Sequence, residues 1–141
     1  PYTTLFRSLK EAEKRGLEMA RWLKSRPEVL KVLHPALPEC PGHEIWKRDF
    51  TGSSGLFSLV LKPEFSKAGV TKMLDNMSIF GMGYSWGGFE SLIIPFNCAD
   101  YRTATNWQPG GLTLRLQIGL EDMDDLKTDL AEGFDRLRST L

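Results

Sequence analysis

Between Leu112 and Arg138 the hydrophobic pattern changes period once, and that change restricts the fold more than any other feature of the chain. Leu112, Leu114, Leu116 and Ile118 alternate with Thr113, Arg115, Gln117 and Gly119, a period of two that puts the first set on one face of a β-strand and the second on the other. Arg115 thereby leaves the apolar face. Directly afterwards Met123, Leu126, Leu130, Phe134 and Leu137 recur at helical spacing. Glu121 and Asp122 open this helix, and Arg136 and Arg138 sit in its last turn, matching the helix dipole at both ends. A strand with one apolar face followed at once by a helix with one apolar stripe calls for two packed layers.

The remainder supplies more of both layers. Leu9, Ala12, Gly16, Ala20 and Leu23 have helical spacing, and Pro27 stops that helix. Residues 1–8 read differently and are expected to be a non-native or linker segment, with the domain proper spanning 9–141. Val29–Leu33 predicts a short strand, and 43–50 predicts one or two helical turns with Trp46 and Phe50 facing inward. Thr51–Gly55 lacks the lysine and helix start of a phosphate loop and reads as a turn into an apolar strand, 56–61. Ser66 can cap a helix whose inner face is Val70, Met73, Leu74 and Met77. Strands are predicted over 79–83 and 91–96, the second closed by Pro95, and 97–111 forms a long polar connection. The predicted class is α+β, a small mixed or antiparallel sheet covered by helices.

Composition narrows the function classes. Eighteen basic residues balance eighteen acidic ones, so no electrostatic footprint for nucleic acid or an anionic membrane surface is present. No apolar run reaches the roughly 18 residues of a membrane span and no secretory pattern is seen, which predicts a cytoplasmic protein. Cys40 and Cys98 are far apart without C-x-x-C spacing, and His34 and His43 flank a proline-rich turn away from any recognisable nucleophile, so neither a metal site nor a hydrolase triad is expected.

The candidate site is the stretch Tyr84-Ser85-Trp86-Gly87-Gly88-Phe89-Glu90-Ser91 between two predicted strands. Its adjacent glycines can take positive φ and approach another molecule closely, and a hydroxyl, an indole and a carboxylate stand around them. A tight turn with Trp86 in the core fits the same residues. Glu90 is read as a structural carboxylate pinning the Gly87-Gly88 loop, with a catalytic acid as the alternative. Trp22, Trp46 and Trp107 are read as core or interface residues, since no basic groove accompanies them.

Three stretches together resemble the cystathionine β-lyases, a branch of the Cys/Met metabolism pyridoxal-phosphate-dependent family of fold type I. They are residues 41–58 (PGHEIWKRDFTGSSGLFS), 84–92 (YSWGGFESL) and 114–122 (LRLQIGLED). The resemblance runs from about Leu9 to the C-terminus, keeps the order of the motifs and corresponds to the family's small C-terminal domain. Trp86 after Ser85 is similar to the β-lyase branch, where other branches tend to carry leucine.

The resemblance implies a pyridoxal-phosphate enzyme that cleaves cystathionine by β-elimination to homocysteine, pyruvate and ammonia. Arg115 matches the arginine that grips the substrate α-carboxylate, and Ser85 and Trp86 match residues lining the substrate side, with Tyr84 beside them. A guanidinium suits that role, because it forms two parallel charge-assisted bonds to a carboxylate and stays charged near neutral pH. An ordinary surface arginine on a polar strand face is the alternative. The implied partners are an amino-acid thioether substrate, the large domain of the same enzyme and further copies in a homo-oligomer, a tetramer at full length. The Schiff-base lysine and other cofactor-binding residues belong to that large domain, so this chain alone is expected to be inactive. A γ-lyase, γ-synthase or other carbon–sulfur lyase domain, or a stand-alone non-catalytic interaction module, are the alternatives.

Overall fold

The computed structural model describes residues 2–84, 87–99 and 101–141, with side chains from Ser8 onward within those ranges. The elements are α1 (Tyr2–Lys24), β1 (Val29–Leu33), α2 (His43–Asp49), β2 (Leu56–Leu61), α3 (Lys67–Leu74), β3 (Leu92–Phe96), β4 (Thr113–Gln117) and α4 (Met123–Arg138). The strands form one sheet in the order β1-β2-β4-β3, antiparallel at every pairing. The alternating stretch is therefore a central strand, and one face of it meets the helices. Leu114, Leu116 and Ile118 are fully buried together with Leu59, Leu61, Met19, Leu23, Met73 and the α4 stripe residues Leu126, Leu130, Phe134 and Leu137. Each such side chain stabilises the fold by about 2 kcal/mol relative to exposure.

Both expected helix starts near the C-terminal half are present. The Ser66 hydroxyl accepts from Gly69 N–H at 3.1 Å, and the Asp122 carboxylate accepts from Asp124 N–H at 2.8 Å. These bonds satisfy donors that a first helical turn otherwise leaves open. Arg136 and Arg138 do more than complement a dipole: Arg136 donates to Met73 O at the end of α3, and Arg138 pairs with the buried Glu28 ahead of β1. The end of α4 is thereby tied to α3 and to the segment ahead of β1.

Four expectations differ from the structure. Helix α1 begins at Tyr2, seven residues before Leu9. Residues 79–83 form no strand; Gly81 alone makes a bridge, parallel to Leu92. The physical reason is the buried carboxylate of Asp129 on α4. It accepts from the N–H groups of Ser78, Ile79 and Phe80 at 2.8, 2.8 and 3.0 Å, so these donors are committed to a side chain rather than to a neighbouring strand. Helix α2 buries no residue: Phe50 is 63% exposed, and Trp46 is half-buried with its indole N–H on Gly52 O at 3.2 Å.

Pro95, fourth, lies inside β3 instead of ending it. Strand β3 is at the sheet edge, and Ser91 and Ile93 use their backbone groups on the side away from β4, toward Gly81. Pro95 has the same parity, so its missing N–H falls on the open edge and removes no bond from the β3–β4 ladder.

Asp129→Ala leaves three backbone donors without their acceptor and is expected to destabilise the domain by about 3 kcal/mol, measured by urea unfolding. His34 gives a pH-dependent test. It is fully buried, its Nδ1 accepts from Ala36 N–H at 3.2 Å, and its ring lies 5.4 Å from that of Phe57. Burial lowers its pKa from the ordinary 6.5, with Glu13 opposing and Arg21 adding to the shift. The unfolded chain then binds the proton more readily than the folded one. The His34 contribution is intact above pH 6.5 and declines as pH falls below it, by at most about 1.4 kcal/mol per pH unit. In His34→Asn, which can still accept from Ala36, unfolding midpoints between pH 6.5 and 5 should fall less steeply than in the parent chain.

Candidate functional site

The antiparallel register decides what surrounds Arg115. Its partners are Ser58 on β2 and Ile94 on β3, and directly paired residues of an antiparallel sheet share a face. Ser58 and Ile94 therefore flank Arg115 on the face turned away from the buried leucines of β4. This face is not the simple solvent-facing side that alternation predicts. Thr113 and Gln117 are 4% and 3% exposed, and only Arg115 between them is half-buried. Ser8, Leu9 and Ala12 of α1, with Gly55 and Phe89, gather around Gln117. Trp107, Pro109 and Gly111 from the long connection gather beside Thr113.

Arg115 lines a cleft of ≈ 380 Å³, beside Ser58, Ile94, Tyr84, Cys98 and Tyr101. The Arg115 guanidinium carbon lies over the Tyr84 ring, 5.4 Å from its centre, within cation–π range. Tyr84 and Tyr101 are 83% and 81% exposed, so both can meet an arriving ligand. Of the four residues expected at the substrate site, the fold brings Arg115 and Tyr84 together; Ser85 and Trp86 lie outside the described residues.

The glycine pair behaves as its composition predicts at one position, since Gly87 has φ 132°. Glu90, expected to pin this loop, is exposed, and the pinning carboxylate is Glu121. Its two oxygens accept from Ser91 N–H and from the Ser91 hydroxyl, each at 2.7 Å. The Ser91 Oγ in turn accepts from Gly119 N–H at 2.9 Å, and Leu120 N–H donates to Phe89 O at 2.8 Å. A Cβ at Gly119 would lie 2.3 Å from Phe89 O, so only glycine lets the two segments close this tightly. Sequence reading assigned Glu121 to the start of α4, and the acidic cluster Glu121-Asp122 hid the division of labour: Asp122 caps the helix while Glu121 turns back to the loop. Ser58, Cys98 and Tyr101 were also missed as lining residues. The 97–111 connection was a weak signal for Cys98 and Tyr101, and only strand pairing identifies Ser58.

The chemistry of the cleft suits an anionic group, a carboxylate or a phosphate alike. An aldehyde cofactor needs an amine to hold it covalently, and no lysine is among the described residues lining the cleft. The guanidinium and the tyrosine and serine hydroxyls instead form a polar set for an anionic ligand.

Comparison with known proteins gives the family. The model of the Cys/Met metabolism PLP-dependent enzymes matches residues 2–135. Cystathionine β-lyase of Escherichia coli is 50% identical over 137 residues, an alignment spanning 95% of this chain and 35% of that protein. An L-alanine/L-glutamate racemase of Wolbachia pipientis is 43% identical over 135 residues, spanning 95% of this chain and 34% of the racemase. A crystal structure of cystathionine γ-synthase from Xanthomonas oryzae pv. oryzae in complex with cystathionine superposes with a TM-score of 0.80 at 31% identity, over 98% of this chain and 36% of that one. The chain thus spans about a third of the length of these relatives. With a matching family model over nearly its whole length and the same small antiparallel sheet with helices as the solved relative, the chain belongs to the Cys/Met metabolism PLP-dependent enzyme family.

Proposed function

We propose that this chain is the substrate-recognition domain of a cystathionine β-lyase and that Arg115 binds the α-carboxylate of the substrate. The observation that carries the reading is the position of Arg115: a permanently charged guanidinium, half-buried at the centre of an open cleft, over an aromatic ring and beside a serine. Low local polarity strengthens a charge-assisted bond to an incoming carboxylate relative to the same bond in water. Tyr84 limits where the guanidinium can move. Ser85 and Trp86, adjacent in sequence to Tyr84, belong to the same proposed wall on the strength of the motif they share with the β-lyases. The 50% identity to a protein named cystathionine β-lyase supports the choice of reaction.

Pyridoxal phosphate, when bound, supplies an electron sink for chemistry at the substrate α-carbon. The work of this chain is different: it fixes the substrate by its carboxylate so that the α-carbon is presented in one orientation. The cofactor and its lysine belong, on this reading, to the larger part of the enzyme. A second reading, the same carboxylate site serving another reaction of the family, is favoured by the 43% identity to a racemase and by the γ-synthase likeness. The products of the full-length enzyme separate the two: pyruvate from cystathionine marks β-elimination, whereas 2-oxobutyrate, net formation of cystathionine, or inversion of an amino acid without keto-acid release marks another reaction of the family.

In the full-length enzyme, Arg115→Ala removes two charge-assisted bonds, about 3 kcal/mol, and is expected to lower kcat/KM for cystathionine on the order of a hundredfold. Arg115→Lys keeps the charge without the two-pronged geometry and should recover part of that loss. Unchanged steady-state kinetics for Arg115→Ala would exclude the carboxylate role. The isolated chain, dialysed after exposure to pyridoxal phosphate, is expected to retain no visible absorption band and to form no pyruvate from cystathionine.

A further inference from the structure

Resting on the carboxylate-site reading, we infer that Glu121 is a positioning residue for the substrate: through Ser91 it sets the loop that carries Tyr84 over Arg115. The chain makes an excursion between the buried Phe80 and the buried Ser91, with Tyr84, Phe89 and Glu90 exposed along it. Both ends of that excursion converge on Ser91. Its backbone O accepts from Gly81 N–H at 3.1 Å, and Gly81 O accepts from Ile93 N–H at 2.9 Å, which closes the base of the loop. Its N–H and hydroxyl both donate to Glu121, and its Oγ accepts from Gly119 N–H, so the hydrogen-bonding capacity of the hydroxyl proton is committed and one lone pair is used.

Glu121 is itself anchored to α1. Arg15 Nε donates to Gly119 O at 2.7 Å, and Arg15 Nη2 donates to the backbone O of Glu121. The carboxylate is thus fixed to the end of β4, the strand that carries Arg115 and is paired at Leu92–Gln117 and Ile94–Arg115 with the strand leaving Ser91. Tyr84 and Arg115 are far apart in sequence, yet their relative placement depends on this one junction. Two charge-assisted bonds from a single carboxylate hold it, and a carboxylate so bound resists displacement better than a neutral acceptor does. Glu121 does not line the cleft, so its effect on substrate passes through the Tyr84–Arg115 pair.

The test is a double-mutant cycle on the full-length enzyme, with KM and kcat for cystathionine determined separately. Glu121→Ala is expected to raise KM about tenfold with a smaller change in kcat, and Glu121→Gln, which keeps the shape and one accepting oxygen, to recover part of the KM. In the Arg115→Ala background, Glu121→Ala should add less than a further twofold, because the binding it supports is already gone. Hydrogen exchange on this chain gives an independent readout, with faster exchange at Ser91 and Ile93 expected in Glu121→Gln while the α4 core amides stay protected. Full additivity with Arg115→Ala, or an unchanged KM in both Glu121 variants, overturns the positioning role while leaving the carboxylate site standing. An unchanged KM in Arg115→Ala overturns both. If Glu121→Ala does not fold, the Glu121→Gln cycle decides by the same criteria.

Discussion

The pairing of β4 on both of its sides is the interaction on which the rest depends. A strand hydrogen-bonded to β2 and to β3 at once has its backbone satisfied on both edges and its register set at every residue. A slip by one residue would turn Leu114, Leu116 and Ile118 out of the core and drive Arg115 into it, so the burial of three fully enclosed side chains holds the arginine on the opposite face. Hydrophobic packing on one side of the strand thereby aims a charge on the other.

That opposite face is bordered by the beginning of α1 and the glycine-containing loop near Gln117 and by the long connection near Thr113, and Arg115 lines a cleft of its own. The arrangement resembles many binding sites in which a rigid sheet supplies one charged group and adjustable loops supply the walls. Among the described residues, two carboxylates tie these loops to the helical side of the domain. Asp129 gathers the N–H groups of residues 78–80, and Glu121 gathers Ser91. Both lie on or next to α4, so the helix that fills the core also locates the approach to and return from the site loop.

The family membership gives these features a setting. Relatives named as a β-lyase, a γ-synthase and a racemase share this small sheet-and-helix unit or its sequence, although their names describe different reactions. On the proposed reading, a unit that recognises what amino acids have in common, a carboxylate beside the reacting carbon, can serve all of them.

The sequence by itself determined the elements whose signals are local. The period-two run at 112–119, the stripe of α4, the caps Ser66 and Asp122, and the strands at 29–33 and 56–61 all follow from spacing and from the chemistry of single residues. The roles expected of Arg115 and Tyr84 came from the resemblance to the β-lyases, since alternation alone left Arg115 an ordinary surface arginine on a polar strand face. Tertiary structure decided whatever depended on a distant partner. Residues 79–83 are strand-like in composition, but a carboxylate fifty residues away took their donors. Trp46 and Phe50 look like core residues, but no element packs over α2 to receive them. Glu121 reads as a helix-start acid until Ser91 is brought beside it, and Ser58 reads as an ordinary strand serine until register sets it against Arg115. Local patterns are governed by backbone geometry and solvent, which act within a few residues. The site is governed by strand register and long-range hydrogen bonds, which exist only once the chain has folded.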